Sequence, residues 1–464
     1  MKTLLTLLLA LAALAGLCAE DITGDWNGML DAGGQKLRIV FHISATDEGL
    51  AATMDSPDQS AFDLPVSSVS FEAGRLELKM EVAPINYTAE LKDGIFVGTF
   101  KQSGFEAPLD LQREALEKPV YNRPQEPKEP YGYRSEEVLF ANPEAEIELA
   151  GTLTLPEGEG VFPAVVLISG SGAQNRDEEL MGHKPFLVIA DHLTRNGIAV
   201  LRYDDRGVGG SGGDAASGTT FDFATDAVSA VRYLKTRPEI GPIGLVGHSE
   251  GGIIAPIAAT QCEDIDFIVL LAGTGIRGDK LLLAQEKLIY QAGGMDDEEI
   301  NQILEVNAAA FGLALYTQDL PSFEAELGAY LKEKMDDGSI EIPEGMTYDE
   351  LYQLQMDSMT NPWMYEFIRL DPAQWLSRVT CPVLALNGSK DLQVPAKYNF
   401  PAISEALEEA GNNDYTLRKY PGLNHLFQES ETGHPEEYAQ IEQTFAPVVL
   451  EEMTAWIKAR TDSR

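Results

Sequence analysis

The feature of this sequence that most restricts its fold is a change of hydrophobic period partway along it. From about residue 22 to 113 apolar and polar residues alternate, in the runs "GDWNGML", "KLRIVFHIS", "LAATMDS", "RLELKMEV", "YTAELKD", "IFVGTFKQ" and "PLDLQRE", with Gly, Asp and Pro between them. Successive side chains of a strand point to opposite faces, so period two describes half-buried strands. Short strands at regular spacing predict a small all-β domain, a barrel or sandwich, over residues 20–115. Asp25, Trp26 and Gln102 are the residues there that would meet a ligand if the domain held one, but satisfied barrel side chains are the simpler reading. Residues 116–134, with "EKPVYNRPQEPKEPYGY", are rich in proline and charge and predict a semi-rigid linker.

Beyond the linker, over residues 135–464, the apolar runs become continuous. After "EIELAGTLTLP" come "FPAVVLISG", "GIAVLRYDD", "GPIGLVGHS", "DFIVLLAG", "CPVLALNG" and "DYTLRKYPG". Continuous runs mark strands covered on both faces, as in parallel sheets. Helical patterns lie between them, among them "HKPFLVIADHLTRNG", "DFATDAVSAVRYLKTR" and "EGGIIAPIAATQC". The alternation predicts a mostly parallel, doubly wound α/β sheet. One stretch, about 276–372, shows helical periodicity and acidic starts but no clear strand, and predicts a helical cap inserted between two core strands. Its Met356, Met359, Trp363, Met364, Tyr365 and Phe367 suit either a pocket or ordinary packing of the insert.

A length of 464 residues agrees with more than one domain. With 74 acidic against 34 basic residues the formal net charge is −40, which repels nucleic acid and anionic lipid, so neither is an expected partner. The opening "MKTLLTLLLALAALAGLCAED" has one lysine, an apolar run and then small residues. This predicts a signal peptide over residues 1–19, cleaved after Ala19, and a secreted or periplasmic protein. A lipid anchor at Cys18 is the lesser expectation, because Leu17 stands where a small residue is wanted. No later segment is apolar for long enough to span a membrane, so stable membrane insertion is not expected. Cys262 and Cys381 remain, too few for a disulfide framework or a zinc site, and two free thiols are expected.

The chemistry centres on "IGLVGHSEGGIIAPIAA", which reads strand, G-x-S-x-G, helix. Gly247 and Gly251 allow a sharp turn with Ser249 at its tip, and the N-terminal N–H groups of the following helix favour a developing oxyanion. A serine hydroxyl needs a base, and the base an orienting acid. For this kind of turn the chain order is serine, acid, histidine. "LALNGSKDLQVP" places Asp391 after a core strand, and "RKYPGLNHLFQ" places His425 after the last one. Both fall at carboxyl ends of strands, on the edge where open α/β sheets hold ligands. Of the six histidines, His42 belongs to the β domain and His192 to a helix. His248 cannot turn back onto the neighbouring hydroxyl. His183 stands near the loop after "VVLISG", where it would line the pocket, and His434 is the reserve base. An oxyanion hole needs two preset N–H donors. Glu250 supplies one, and Ser171, in "ISGSGAQNRDE" with Gly170 and Gly172, is expected to supply the other.

On these motifs the chain from about residue 135 onward resembles the α/β-hydrolase superfamily. It is most similar to the bacterial serine-aminopeptidase-like and esterase branch, in which a secreted β domain can precede the hydrolase. The resemblance is carried by Gly247, His248, Ser249, Glu250 and Gly251, by the "GSKD" and "GLNH" loops, and by "YDDRGVGGS", where Asp204, Arg206, Gly207, Gly209 and Ser211 match. It implies that the last stretch is a structural loop beside the active site. The chain departs from many relatives in having Ser169-Gly170 where they have His-Gly. The expected reaction is acyl transfer: Ser249 attacks a carbonyl, His425 takes and returns the proton, Asp391 orients the imidazole, and water releases the acyl group. No metal or organic cofactor is implied. A small-molecule carboxylic ester is the leading substrate class and a short peptide the rival. A silent binding protein on the same scaffold is disfavoured by the complete set of candidate residues.

Overall fold

The computed structural model describes residues 21–32, 35–46, 49–59, 61–80, 85–102, 105–117, 121–343 and 346–461. The expected signal peptide, with Cys18 and Ala19, lies outside them. The chain divides into two compact units, Met1–Val120 with Pro343–Met346, and Tyr121–Ile342 with Thr347–Arg464.

The first unit is one antiparallel sheet. Its spatial order is Ala61–Pro65, Gly49–Ser56, Gln35–Thr46, Gly24–Ala32, Leu111–Gln112, Ile95–Gln102, Ile85–Lys92, Arg75–Met80 and Ser68–Glu72, with Phe105–Pro108 also paired to Ile95–Gln102. Among the described residues no ladder joins the two outer strands, so the sheet is a half-barrel rather than a closed barrel or a two-sheet sandwich. Period two sets its core: along Arg75–Met80, Leu76, Leu78 and Met80 are buried while Arg75 and Lys79 are exposed. Trp26, Phe41, Tyr87, Phe96 and Phe100 fill the concave side. Trp26 is core, its Nε1–H donating to the Ile22 carbonyl at 2.8 Å, and Asp25 is engaged by His42 Nδ1 at 2.7 Å.

From Tyr121 onward the proline-rich stretch is not a free linker. The Arg123 guanidinium donates to the carbonyls of Met181, Gly182, Ala439 and Ile441 at 3.0, 3.3, 2.7 and 2.8 Å. Gln125 bonds the backbone of Thr444 and Phe445. Loop carbonyls without strand partners must be satisfied somewhere, and these two side chains satisfy them.

Among its described residues the second unit holds eight strands: β1 Arg134–Asn142, β2 Ile147–Leu155, β3 Phe162–Ile168, β4 Ala199–Tyr203, β5 Ile240–His248, β6 Phe267–Leu271, β7 Val383–Gly388 and β8 Tyr415–Tyr420. They lie in the order β1-β2-β4-β3-β5-β6-β7-β8. β2 runs antiparallel to β1 and β4, and from β4 to β8 all pairs are parallel. Helices cover both faces. On one, α1 (Pro185–Arg195) and α11 (Pro447–Thr461) pack on Val165, Leu167, Val246 and Leu384. On the other, α2 (Thr220–Lys235), α3 (Gly251–Gln261) and α10 (Ala396–Glu409) pack on Val166, Ile168, Leu245 and Ala385. Neighbouring residues of one strand thus enter different cores, which is why these runs are continuously apolar. A G-x-S-x-G turn on such a sheet is the α/β-hydrolase fold.

Between β6 and β7, among the described residues, five helices form the cap, α4 Gly278–Ala292, α5 Asp297–Tyr316, α6 Leu320–Asp336, α7 Tyr348–Met359 and α8 Pro362–Arg369, and the short α9 Ala373–Leu376 leads on to β7. The cap has its own core around Phe311, Phe323, Leu327, Met359, Tyr365 and Ile368, with Met356 and Met364 against it. Phe367 and Trp363 pack with the main core instead. The Met and aromatic residues of the insert therefore serve chiefly as packing. Among the described residues no helix is long and apolar enough to cross a membrane.

Candidate active site

β5 ends at His248 and α3 begins at Gly251, so the chain reverses within two residues. The reversal needs both flanking glycines. A Cβ on Gly247 would collide with the Gly251 carbonyl, and one on Gly251 with the Ile168 carbonyl. Ser249 absorbs the remaining turn at φ +52°, a left-handed conformation that costs a side-chain-bearing residue free energy. Its N–H donates to Leu271 at 2.8 Å and its carbonyl accepts from Gly252 at 2.9 Å, which hold it there. Gly170 faces it: a Cβ at 170 would come within 3.2 Å of the serine Cβ.

Asp391 and His425 meet at the ends of β7 and β8. Asp391 is buried, and its Oδ1 accepts from the N–H groups of Gln393 and Val394 at 2.9 and 2.8 Å. Oδ2 is left for His425 Nδ1, 2.9 Å away. A carboxylate partner places the proton on Nδ1 and leaves Nε2 as the basic nitrogen. The His425 loop is shaped by Asn424, whose Oδ1 accepts from Leu426 and Gln428 N–H at 3.0 and 2.9 Å. The His425 ring lies 4.8 Å, centroid to centroid, from that of His248, beside the serine. The expected hydrogen bond from Ser249 Oγ to His425 is not formed in this structure. In unliganded sites that contact is often long and closes with substrate.

The two expected oxyanion donors are not spent elsewhere: among the described residues neither the Ser171 nor the Glu250 N–H donates a hydrogen bond. The adjacent Gly170 N–H is taken, by Glu178 Oε1 at 2.7 Å. The Glu250 side chain turns away into the protein, where Oε1 accepts from Thr220 Oγ1 at 2.7 Å and from Trp363 Nε1 of α8 at 2.8 Å. Burial raises its carboxyl above the usual range, opposed by those hydrogen bonds.

The "YDDRGVGGS" loop is structural, as the resemblance implied. Arg176 grips Asp204 through Nε and Nη2 at 3.0 and 2.8 Å. Arg206 likewise grips Asp226 at 2.8 and 3.0 Å. Asp205 accepts from Ser169 Oγ at 2.8 Å and from the Gln174 N–H at 3.0 Å. Ser169 thus pins the loop that carries Ser171 by its side chain. Burial pushes the Asp205 carboxyl up to about 8, helped by the charges of Glu178 and Glu250 against its two hydrogen bonds. Between about pH 4 and about 8 the folded chain keeps a proton that the unfolded chain has released, so this group's contribution to stability falls as pH rises. Asp205→Asn should remove that slope. Thermal melting is expected to show the variant gaining on the native protein from pH 4 to 8, whereas parallel curves would contradict a buried neutral acid.

Other histidines are accounted for. His183 does not line the pocket. It is buried with Nδ1 against Thr444 Oγ1 and Nε2 against the Tyr438 carbonyl, each at 2.9 Å, and burial pushes it down to about 4. His434 caps the short helix Pro435–Gln440, accepting from the Glu436 N–H at 3.3 Å. Cys262 and Cys381 are free thiols, and burial pushes the latter up to about 12.

Strand order, turn and cap define the class: the second unit has the α/β-hydrolase fold. Within that class, residues 184–293 match the family described as serine aminopeptidase, S33, a segment that includes Ser249 but neither Asp391 nor His425. Esterase EstD of Thermotoga maritima is 28% identical over 279 residues, which cover 60% of this chain and 58% of that protein. The chain thus spans less than two thirds of the length of this relative. Among solved structures, the Pyrococcus furiosus esterase Pf2001 is 14% identical with a TM-score of 0.42, over 72% of this chain and 92% of the other. Est1E from Butyrivibrio proteoclasticus, solved with ferulic acid bound, is 18% identical with a TM-score of 0.41, over 70% and 99%. At such values neither likeness bears on what this chain acts on.

Proposed function

We propose that this protein is a secreted or periplasmic serine hydrolase that cleaves small carboxylic esters through an acyl-enzyme. Ser249 is the nucleophile, His425 Nε2 the general base and then acid, and Asp391 the carboxylate that fixes the tautomer and stabilises the imidazolium. The N–H groups of Ser171 and Glu250 receive the oxyanion. The compartment follows from the signal-like opening of the sequence. The observation that carries the reading is the buried Asp391–His425 pair, 2.9 Å apart, at the strand edge where Ser249 is held in a strained turn.

The matched aminopeptidase family keeps peptide hydrolysis as the second reading. An exopeptidase that requires a free amino terminus needs an anionic group for the substrate ammonium. Glu250, the carboxylate next to the nucleophile, is buried and already bonded by Thr220 and Trp363. Glu298, Glu299, Asp336 and Asp337 of the cap are exposed, as befits a solvated acidic face. Both observations favour the ester. The expected result is a kcat/KM for a short-chain p-nitrophenyl ester well above that for any aminoacyl p-nitroanilide. Since the ester is also intrinsically more reactive, parity, or a strict need for a free amino group, would overturn the esterase reading.

A further inference from the structure

We propose that Glu178 and His248 form a buried ion pair that positions the reaction machinery, tying the oxyanion loop to the backbone of His425. The proposal rests on the hydrolase reading above and assigns two residues that it does not use. Glu178 Oε1 accepts two hydrogen bonds, from the Gly170 N–H at 2.7 Å and from His248 Nδ1 at 2.9 Å. The other ring nitrogen, Nε2, lies 3.1 Å from the carbonyl oxygen of His425. One unbroken run therefore leads from the residue before Ser171, through Glu178 and His248, to the proposed base.

The chemistry of the partners sets the charge. A carbonyl only accepts, and so does an ionised carboxylate. With Glu178 ionised, both nitrogens of His248 must donate, which only the imidazolium can do. Both side chains are buried, at 5% and 7% exposure, among Pro185, Phe186, Ile189, Leu271, Leu426 and Phe445. The charged and titratable groups facing the pair from its neighbours are Asp391, the His425 ring, and Asp205 across the loop. Burial is the largest single influence and would depress the His248 imidazole, but the charge and hydrogen bond of Glu178, the His425 carbonyl and the Asp391 charge together outweigh it, and the net direction is upward. A buried ion pair is poor evidence of a stability device, since apolar residues often do as well. Here its two ends terminate on the two loops whose spacing decides whether an oxyanion and a proton acceptor can be served together.

Glu178→Gln discriminates, because the amide oxygen can still accept from Gly170 but the charge that holds His248 as an imidazolium is gone. With its oxygen toward Gly170 and the Nδ1–H of a neutral His248, Nε2 presents a lone pair to the His425 carbonyl. With its NH2 toward Nδ1, Gly170 loses its acceptor. The variant should still react with a fluorophosphonate, since Ser249 and His425 remain. Its kcat on a p-nitrophenyl ester should fall on the order of 100-fold with KM little changed, the scale of a slight misplacement of catalytic groups. Its pH–rate profile should lose the alkaline limb that deprotonation of His248 gives the native enzyme. Glu178→Asp, which keeps the charge, should recover part of kcat. A folded Glu178→Gln with native kcat and native pH profile would overturn the proposal. If that variant does not fold, ring-nitrogen NMR of the native protein decides. The measurement is made in a His42→Ala background, because the His42 ring also sits between two carboxylates, Asp25 and Asp55. One histidine should stay doubly protonated at pH 8, and a spectrum with every imidazole neutral would overturn the ion pair. A native protein that the probe does not label would overturn the hydrolase reading, and this proposal with it. Labelling with an unimpaired Glu178→Gln would overturn this proposal alone.

Discussion

Ser249→Ala is expected to lower kcat for ester hydrolysis on the order of a million-fold, to the residue of rate that binding and the oxyanion hole supply without a nucleophile. KM should change little, because the hydroxyl contributes to bond formation and not to ground-state binding. The fold should tolerate the change well. Ser249 is held by backbone hydrogen bonds to Leu271 and Gly252, and its hydroxyl makes none within the described structure. Alanine at φ +52° keeps the same strain. A melting temperature close to the native value would therefore accompany the loss. Near-native kcat in the variant, measured on enzyme free of native contamination, would remove Ser249 from the mechanism.

Asp391→Asn should cost on the order of ten-thousand-fold in kcat, less than loss of the serine. The reason lies in the two oxygens. Oδ1 is fixed as an acceptor by the Gln393 and Val394 N–H groups, so an asparagine must place its carbonyl there and its NH2 toward His425. An NH2 facing Nδ1 forces the proton onto Nε2, the wrong tautomer for a base. A pH rise should not restore activity, since no deprotonation of the amide is available. A loss smaller than about tenfold would mean that Asp391 does not orient the base.

The parts of this molecule legible in the sequence are those where local pattern and fold geometry coincide. Ser249 and Asp391 each follow a continuously apolar strand, and His425 follows the last strand of the same parallel set, so their shared sheet edge follows from the parallel arrangement. What escaped is held by contacts between distant parts of the chain. Glu178 lies 70 residues before His248, in a polar loop that nothing marks as buried. Trp363 reaches Glu250 across 113 residues, and only a folded cap reveals that one of its aromatics ends on the serine turn. β1 was hidden because "RSEEVLFAN" has an exposed, charged face at the sheet edge. The overall periodicity of the insert does not divide it into separate helices, although Thr347 with Glu350 is a capping box that marks the start of α7. His183 stands near a loop in the sequence, but nearness to a loop is not exposure, and its ring is consumed by Thr444 and Tyr438.

The central claim, that Ser249 is an activated nucleophile, is tested most directly by reacting the native protein with a fluorophosphonate and locating the adduct by peptide mass. The account predicts one phosphonylated residue, Ser249, with labelling abolished in Ser249→Ala and strongly slowed in His425→Ala. An adduct on another residue, or undiminished labelling of Ser249→Ala, would contradict it.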